Sequence, residues 1–425
     1  MEKMEGEEDA TEKGLLLVND EEINANTTPL LFFSTFIIVS ASFTYGAAMG
    51  YTADTMHSIM TDLDLSLAQF SLFGSLSTFG GMFGSIFSAK AAAAFGYKMI
   101  PVYVAEITPK HVRGAFTFSN QLMQNFGIAI VYYFGNFVSW RTLALIGSIP
   151  CWIQVIGLFF IPESPRWLAK NDRDKEVEVV LQKLRGPNYD IVPEACEIKI
   201  SVEASKRRSN ISIRTLFKKK YAHQLTIGIG LMVLQQLCGS AGIGGYGTTI
   251  FNHAGFPARI GMMVLSFIVV PKSFMGLLLV DRWGRRPLLM ASGSGLCMSC
   301  ITLAVAFIVK DDPELGKITP ILCFIGILSF TMMFAIGMGA LPWIIMSEIF
   351  PMDIKVLAGS LVTITNWFTG WIANYCFNFM FFWSQTGTFI ISAAVCGGTV
   401  VFTWWLVPET RGLTLEEIQQ SFGNV

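Results

Sequence analysis

The sequence predicts an all-α membrane protein whose helices cross a bilayer about ten times. Composition is the first reason. Of 425 residues, 52% are hydrophobic and only 14% charged, whereas soluble domains carry about 25% charged residues. Spacing is the second. A spanning helix needs about 20 mostly apolar residues, and runs of that length lie at roughly 29–51, 69–93, 115–137, 142–162, 223–245, 259–281, 287–309, 318–341, 357–381 and 387–407. Charge is the third. With the N-terminus in the cytoplasm, segments on that side collect 25 of the 30 Lys and Arg, and the opposite side holds Arg141, Arg259, Lys310 and Lys317. Cytoplasmic loops carry such an excess. Lys272 is the remaining one, inside a run.

Residues 1–28 form an acidic tail without the basic and apolar regions of a cleaved signal. The tail is expected to be disordered, and run 29–51 to serve as the anchor. Within it, Glu12, Leu16 and Leu17 make an acidic dileucine, a sorting signal in form; such Leu-rich patterns also arise by chance. Residues 29–162 read as a first helical half of about four spans, and 223–407 as a second half of six. Residues 163–222 read as a cytoplasmic linker of short helices, and 408–425 as a cytoplasmic tail. The 14 basic residues of the linker follow from its side of the membrane, so no nucleic-acid partner is expected. Seven of the eight Cys lie in apolar runs and the four His are scattered. No disulfide framework, metal site, cofactor or nucleophile–base pair is expected, and an enzyme is not. Oligomeric state is not legible.

One pattern occurs twice. A Gly followed by basic residues precedes an Ala/Ser-Glu-Ile-x-Pro signature in "FGYKMIPVYVAEITP" and again in "DRWGRRPLL … SEIFP". Gly284 and Glu348 are 64 residues apart, but Gly96 and Glu106 only 10. Two whole runs lie inside the longer interval. If the halves are repeats, as in many transporters, the first half lacks a pair of spans. Ten residues of helix reach only about 15 Å. An even loss leaves every later loop on its own side, which keeps the charge count intact.

At "PESPRWL", "QQLCGSAG", "DRWGRRPLL", "PWIIMSEIFP", "NWFTGW" and "PETRGLTLEEI" the chain resembles the sugar porter family of the major facilitator superfamily, and its wording is most similar to the plant early-response-to-dehydration branch. The resemblance covers residues 29–420 and implies a twelve-span fold in two six-helix halves, here without spans 3 and most of 4, the join falling near Met99–Pro101. It also implies a hexose site. Amides both donate and accept, as sugar hydroxyls do, and Gln121, Gln235, Gln236 and Asn366 match family positions, with Tyr246, Trp343 and Trp367 as aromatic partners. Interhelical hydrogen bonds are the other use for each amide. Ala241 and Gly245 depart from the family's Asn and Tyr. The resemblance further implies a cytoplasmic gate of Glu106, Arg113, Asp281, Arg285, Arg286 and Glu348; a solvated membrane rim is the plainer reading. Lys355 stands where Arg is usual, Ala93 where Asp is, and Tyr97 where Arg is.

Family symporters carry an embedded Asp where this chain has Ala48, and pair it with an Arg of span 4. The expected function is therefore transport of a monosaccharide by facilitated diffusion. The alternatives are a proton symporter, a sensor without flux, and an inactive truncated product that misassembles. The expected location is the vacuolar membrane, with the plasma membrane as the other choice.

Overall fold

Helix α1 (Pro29–Leu63) is longer than its apolar run. From Thr52 to Asp62 no Gly or Pro interrupts it, and the hydroxyls of Thr55 and Thr61 bond back to the carbonyls of Tyr51 and His57. It ends where Asp64 turns to a positive φ of 50°. The computed structural model describes residues 28–96, 98, 102–109, 112–187, 189–208, 216, 218–351 and 354–411; Glu12, Leu16 and Leu17 lie outside them.

Helices α2 (Leu67–Phe95), α3 (Val102–Ile107), α4 (Arg113–Phe134) and α5 (Trp140–Gly157) complete the first half. Short helices α6 (Pro165–Lys170), α7 (Asp174–Arg185) and α8 (Val192–Arg208) follow. The second half holds α9 (Lys219–Leu237), α10 (Ser240–Gly245), α11 (Gly247–His253), α12 (Ala258–Trp283), α13 (Arg285–Ile308) and α14 (Thr319–Met333), then a π-helical turn at Phe334–Met338, α15 (Leu341–Ile349), α16 (Lys355–Trp383) and α17 (Gln385–Leu406). Most of each of the ten apolar runs falls on helix, and among the described residues no strand occurs. Six of the helical stretches are apolar and long enough to cross a membrane on length and composition alone. The protein is a multi-pass membrane protein.

The chain divides into two units. One comprises residues 1–43, 88–123 and 149–210. In it, α7 buries Val177, Leu181 and Leu184 at i, i+4 and i+7, one stripe of a helix. Val177 and Leu181 pack with Leu168, Ala195 and Ile198 of α6 and α8, and Leu184 with Leu31 of α1 and Tyr103 and Ile107 of α3. Gly186, at φ 96°, ends α7. Short α3 is tied down from several sides. Arg185, 1% exposed, bonds Glu194 at 2.9 and 2.6 Å and gives its third donor to the Ile107 carbonyl at 2.7 Å, which satisfies a buried charge with a fork of donors. The Tyr103 hydroxyl reaches the Pro162 carbonyl at 2.8 Å.

The other unit holds residues 44–87, 124–148 and 211–425. Its helices approach closely where side chains are small, as bilayer packing requires. Ser299 of α13 and Ser329 of α14 share a hydrogen bond of 2.8 Å, and a Cβ on Gly293 would come within 3.0 Å of Val400 on α17.

Candidate functional site

The amides expected at a sugar site meet where α9 ends. Gln235 and Gln236 occupy its last turn, and Gly239, at φ 98°, breaks the chain before α10. Gln235, 4% exposed, donates both amide hydrogens to the carbonyls of Met338 (2.7 Å) and Gly339 (3.0 Å). Its Oε1 accepts from Asn366 Nδ2 at 2.9 Å, and Asn366 Oδ1 accepts from Gln236 Nε2 at 3.2 Å. Three amides thus run head to tail across α9 and α16. Gln235 has no donor left; Gln236 keeps an amide hydrogen and its Oε1.

The aromatic candidates divide. Trp367 lies edge-on to Tyr45, centroids 5.7 Å apart, and fills the space over Gly81, where a Cβ would come within 2.6 Å of its ring. Trp343 is half-buried at the start of α15, and among the described residues its indole nitrogen has no partner. Tyr246 is 2% exposed, stacked on Phe377 at 5.8 Å, with its hydroxyl at the Asn378 amide. It faces packed protein. Gln121 is exposed on α4 in the other unit.

The extension of α1 brings in a residue the sequence reading passed over. Lys272 is not the only charged group within the helices: Asp54 lies in α1, its Oδ1 accepting from Thr248 of α11 and its Oδ2 buried without a partner among the described residues. Beside it the Tyr132 hydroxyl bonds the Gly244 carbonyl at 2.6 Å, and Ser71 accepts from Asn378 at 3.0 Å. The only signal in the sequence was the absence of a helix breaker after residue 51.

The repeated acidic pattern builds a site in each half. In the second, Arg285 Nη2 reaches Glu348 at 3.1 Å, both half-buried, while Arg285 Nε is buried without a partner among the described residues. Arg286 sends its guanidinium to the Trp404 carbonyl instead of to an acid. The residue that sequence reasoning missed is Glu409. Its carboxylate accepts from the backbone of Arg285 (3.0 Å) and Arg286 (3.1 Å), the first turn of α13, and from Thr410 and Arg411. A helix start offers unpaired N–H groups and favours an anion. Burial pushes the Glu409 carboxyl up, but these backbone donors outweigh it and hold it below the usual 4.5. Thr410 then donates to Glu348 at 2.6 Å.

The first half repeats the device. Glu163 accepts from the Lys98 backbone at 3.1 Å, and Ser164 donates to Glu106. Gly96 (φ 104°) and Gly284 (φ 83°) each turn the chain into an acid's reach: a Cβ would lie 2.0 Å from Glu163 or 3.0 Å from Glu409. Only glycine suits that conformation at such contact. Burial, opposed by the Ser164 hydrogen bond and Arg166, raises the Glu106 carboxyl above 4.5. The side chains of Arg113 and Asp281 lie outside the described ones. The signal for Glu163 and Glu409 was present: Pro-Glu-Ser and Pro-Glu-Thr close the two halves at residues 162–164 and 408–410.

The model of the family described as "Sugar (and other) transporter" matches residues 97–422. The chain is 75% identical to the Arabidopsis thaliana protein named Sugar transporter ERD6-like 12, over 99% of this chain and all of the relative. It is 47% identical to Arabidopsis Sugar transporter ERD6-like 17, over 96% of each. The first alignment spans 464 positions against a chain of 425, so at least 39 of them have no counterpart here. The fold is similar to a solved inward-open conformation of the xylose transporter XylE from E. coli, with TM-score 0.75 and 20% identity, covering 92% of this chain and 99% of that one. It is also similar to the major facilitator proton:xylose symporter XylE bound to 6-bromo-6-deoxy-D-glucose, with TM-score 0.69, 21% identity and coverage of 93% and 100%.

Proposed function

The chain belongs to the sugar transporter family, and we propose that it carries a monosaccharide across a membrane by facilitated diffusion. The observation that carries this reading is the amide chain of Gln235, Asn366 and Gln236 at the break in the helix, with Gln236 holding a donor and an acceptor in reserve. A hexose hydroxyl needs both from one group. Trp343 is a further candidate contact in the same unit and Gln121 a candidate in the other; Glu348 with Glu409, and Glu106 with Glu163, are the candidate gate acids of their own units. Uptake of labelled hexoses into liposomes tests the reading. It should saturate, run down a gradient only, and fall in Gln236→Ala. No uptake by this chain, with uptake by a version carrying two additional spans after Lys98, identifies an inactive truncated product.

Asp54 favours a second reading, proton symport, since a carboxylate inside a membrane helix suits proton transfer. Sugar accumulation that collapses with a protonophore and is lost in Asp54→Asn would establish it. For location, we favour the vacuolar membrane over the plasma membrane. A fluorescent Leu16→Ala/Leu17→Ala chain should shift to the plasma membrane; retention of the mutant at the vacuole removes the dileucine as the address.

A further inference from the structure

The π-helical turn between α14 and α15 is held by two side chains from neighbouring helices. Ser292 of α13, fully buried, donates its hydroxyl to the Met333 carbonyl at 2.7 Å and accepts from the Met338 N–H at 3.0 Å. One hydroxyl therefore bridges the two groups that bracket the turn. Gly337 permits this approach, since a Cβ there would come within 2.5 Å of the Ser292 Cβ. Gly339 N–H reaches back five residues to the Phe334 carbonyl at 2.7 Å. A wide turn leaves later carbonyls without helical partners, and inserted side chains must satisfy them. Those carbonyls are Met338 and Gly339, and the donor is Gln235.

Gln235 is thus spent. It can offer a hydrogen to a sugar hydroxyl only by releasing the backbone of the turn. We propose that Ser292 is a positioning residue for transport: it props the π turn open so that the Met338 and Gly339 carbonyls hold Gln235, and sugar binding trades that hold for a sugar hydroxyl. The turn is then a latch that substrate itself releases. Backbone carbonyls and ligand compete for the same donor, so the latch and the sugar affinity are coupled. Short irregular turns of this kind recur at functional sites. This inference rests on the transporter reading above.

Kinetics in liposomes test it. Ser292→Ala removes both bonds to the turn, weakens the hold on Gln235 and should lower the KM for hexose by about two- to tenfold, the worth of one hydrogen bond. In a Gln235→Ala background the same substitution should leave KM unchanged. Ser292→Cys, a weaker donor, should fall between Ser and Ala. A purely structural serine would instead reduce the folded yield at constant KM. Should Ser292→Ala fail to fold, hydrogen exchange on the unaltered protein decides: saturating hexose should speed exchange across residues 333–341. Hexose bound with exchange there unchanged or slowed, KM unaltered in Ser292→Ala, or an equal KM shift in the Gln235→Ala background overturns the inference alone. A chain that binds no hexose overturns the transporter reading and this inference with it.

Discussion

The acidic sites of the two halves share a backbone device and differ in their side chains. In the second, Glu409 caps the first turn of a long helix with two amides from α13, and an arginine reaches the second acid, Glu348. In the first, Glu163 takes one described amide from that stretch, at Lys98, and the lysine ammonium goes to the Leu158 carbonyl at 3.2 Å. What persists in both is a left-handed glycine, a carboxylate on backbone N–H, and a hydroxyl passed from Ser164 or Thr410 to the second acid. What differs among the described residues is the basic group after the glycine: Arg285 touches Glu348, whereas the Lys98 ammonium lies on a carbonyl. Amide donors are supplied by any residue type, so that part of the device survives sequence change; a guanidinium is not replaced by an ammonium.

The largest effect should separate the two carboxylates. Glu409→Ala strips several charge-assisted bonds from the start of α13 and should cost about 2 kcal/mol. Glu163→Ala should cost about half as much, because the donors described for it are two amides, those of Lys98 and Ser164. Thermal unfolding in detergent measures both, and equal losses would break the contrast. Next comes the arginine. Arg285→Lys should lose about 1 kcal/mol with the Glu348 contact, whereas Lys98→Arg should change stability by less than that. A gain from Lys98→Arg equal to the loss from Arg285→Lys would mean the two sites are interchangeable.

The hydroxyls rank third. Ser164 also accepts from the Arg166 and Trp167 N–H groups at the start of α6, so Ser164→Ala should cost about 1 kcal/mol. Thr410→Val, which removes the described bond to Glu348, should cost less in the same assay. The smallest effect is acid sensitivity. Glu409 sits below the usual 4.5 when folded, so its contribution is complete above that value and is lost only as pH falls further. Glu106 sits above it, so its site is firmest when protonated and loosens as pH rises through the raised value. Hydrogen exchange around α3 should therefore slow as pH drops from neutral toward 4.5, after correction for intrinsic rates, while the start of α13 should not change. Glu106→Gln should abolish the first response.

How much of this was legible follows from which residues report locally. The ten apolar runs and the Gly–Glu duplication are patterns along the chain, and most of each run falls on helix. Glu163 and Glu409 escaped although Pro-Glu-Ser and Pro-Glu-Thr repeat, because their partners are backbone amides and no partner residue type points back to them. Asp54 escaped because a hydropathy run ends at the first polar residues, whereas a helix ends only at a breaker. Gln235 reads as a ligand by type; only the fold reveals that the turn at Phe334–Met338 already occupies its donors.

Helix α3 and the residues just before it also set an order of events during synthesis. Upstream, α3 packs on Leu31, Ile37 and Ile38 of α1, but four hydrogen bonds of Lys98 and α3 come from far downstream: Lys98 from Glu163, Tyr103 from Pro162, Glu106 from Ser164 and Ile107 from Arg185. The last partner is 78 residues later, which a ribosome adding about 5–20 residues per second delivers roughly 4–16 s afterwards. Until then Lys98 and α3 lack these downstream hydrogen bonds. Helices α4 and α5 are therefore synthesised before these bonds can form, and Arg185 completes the set.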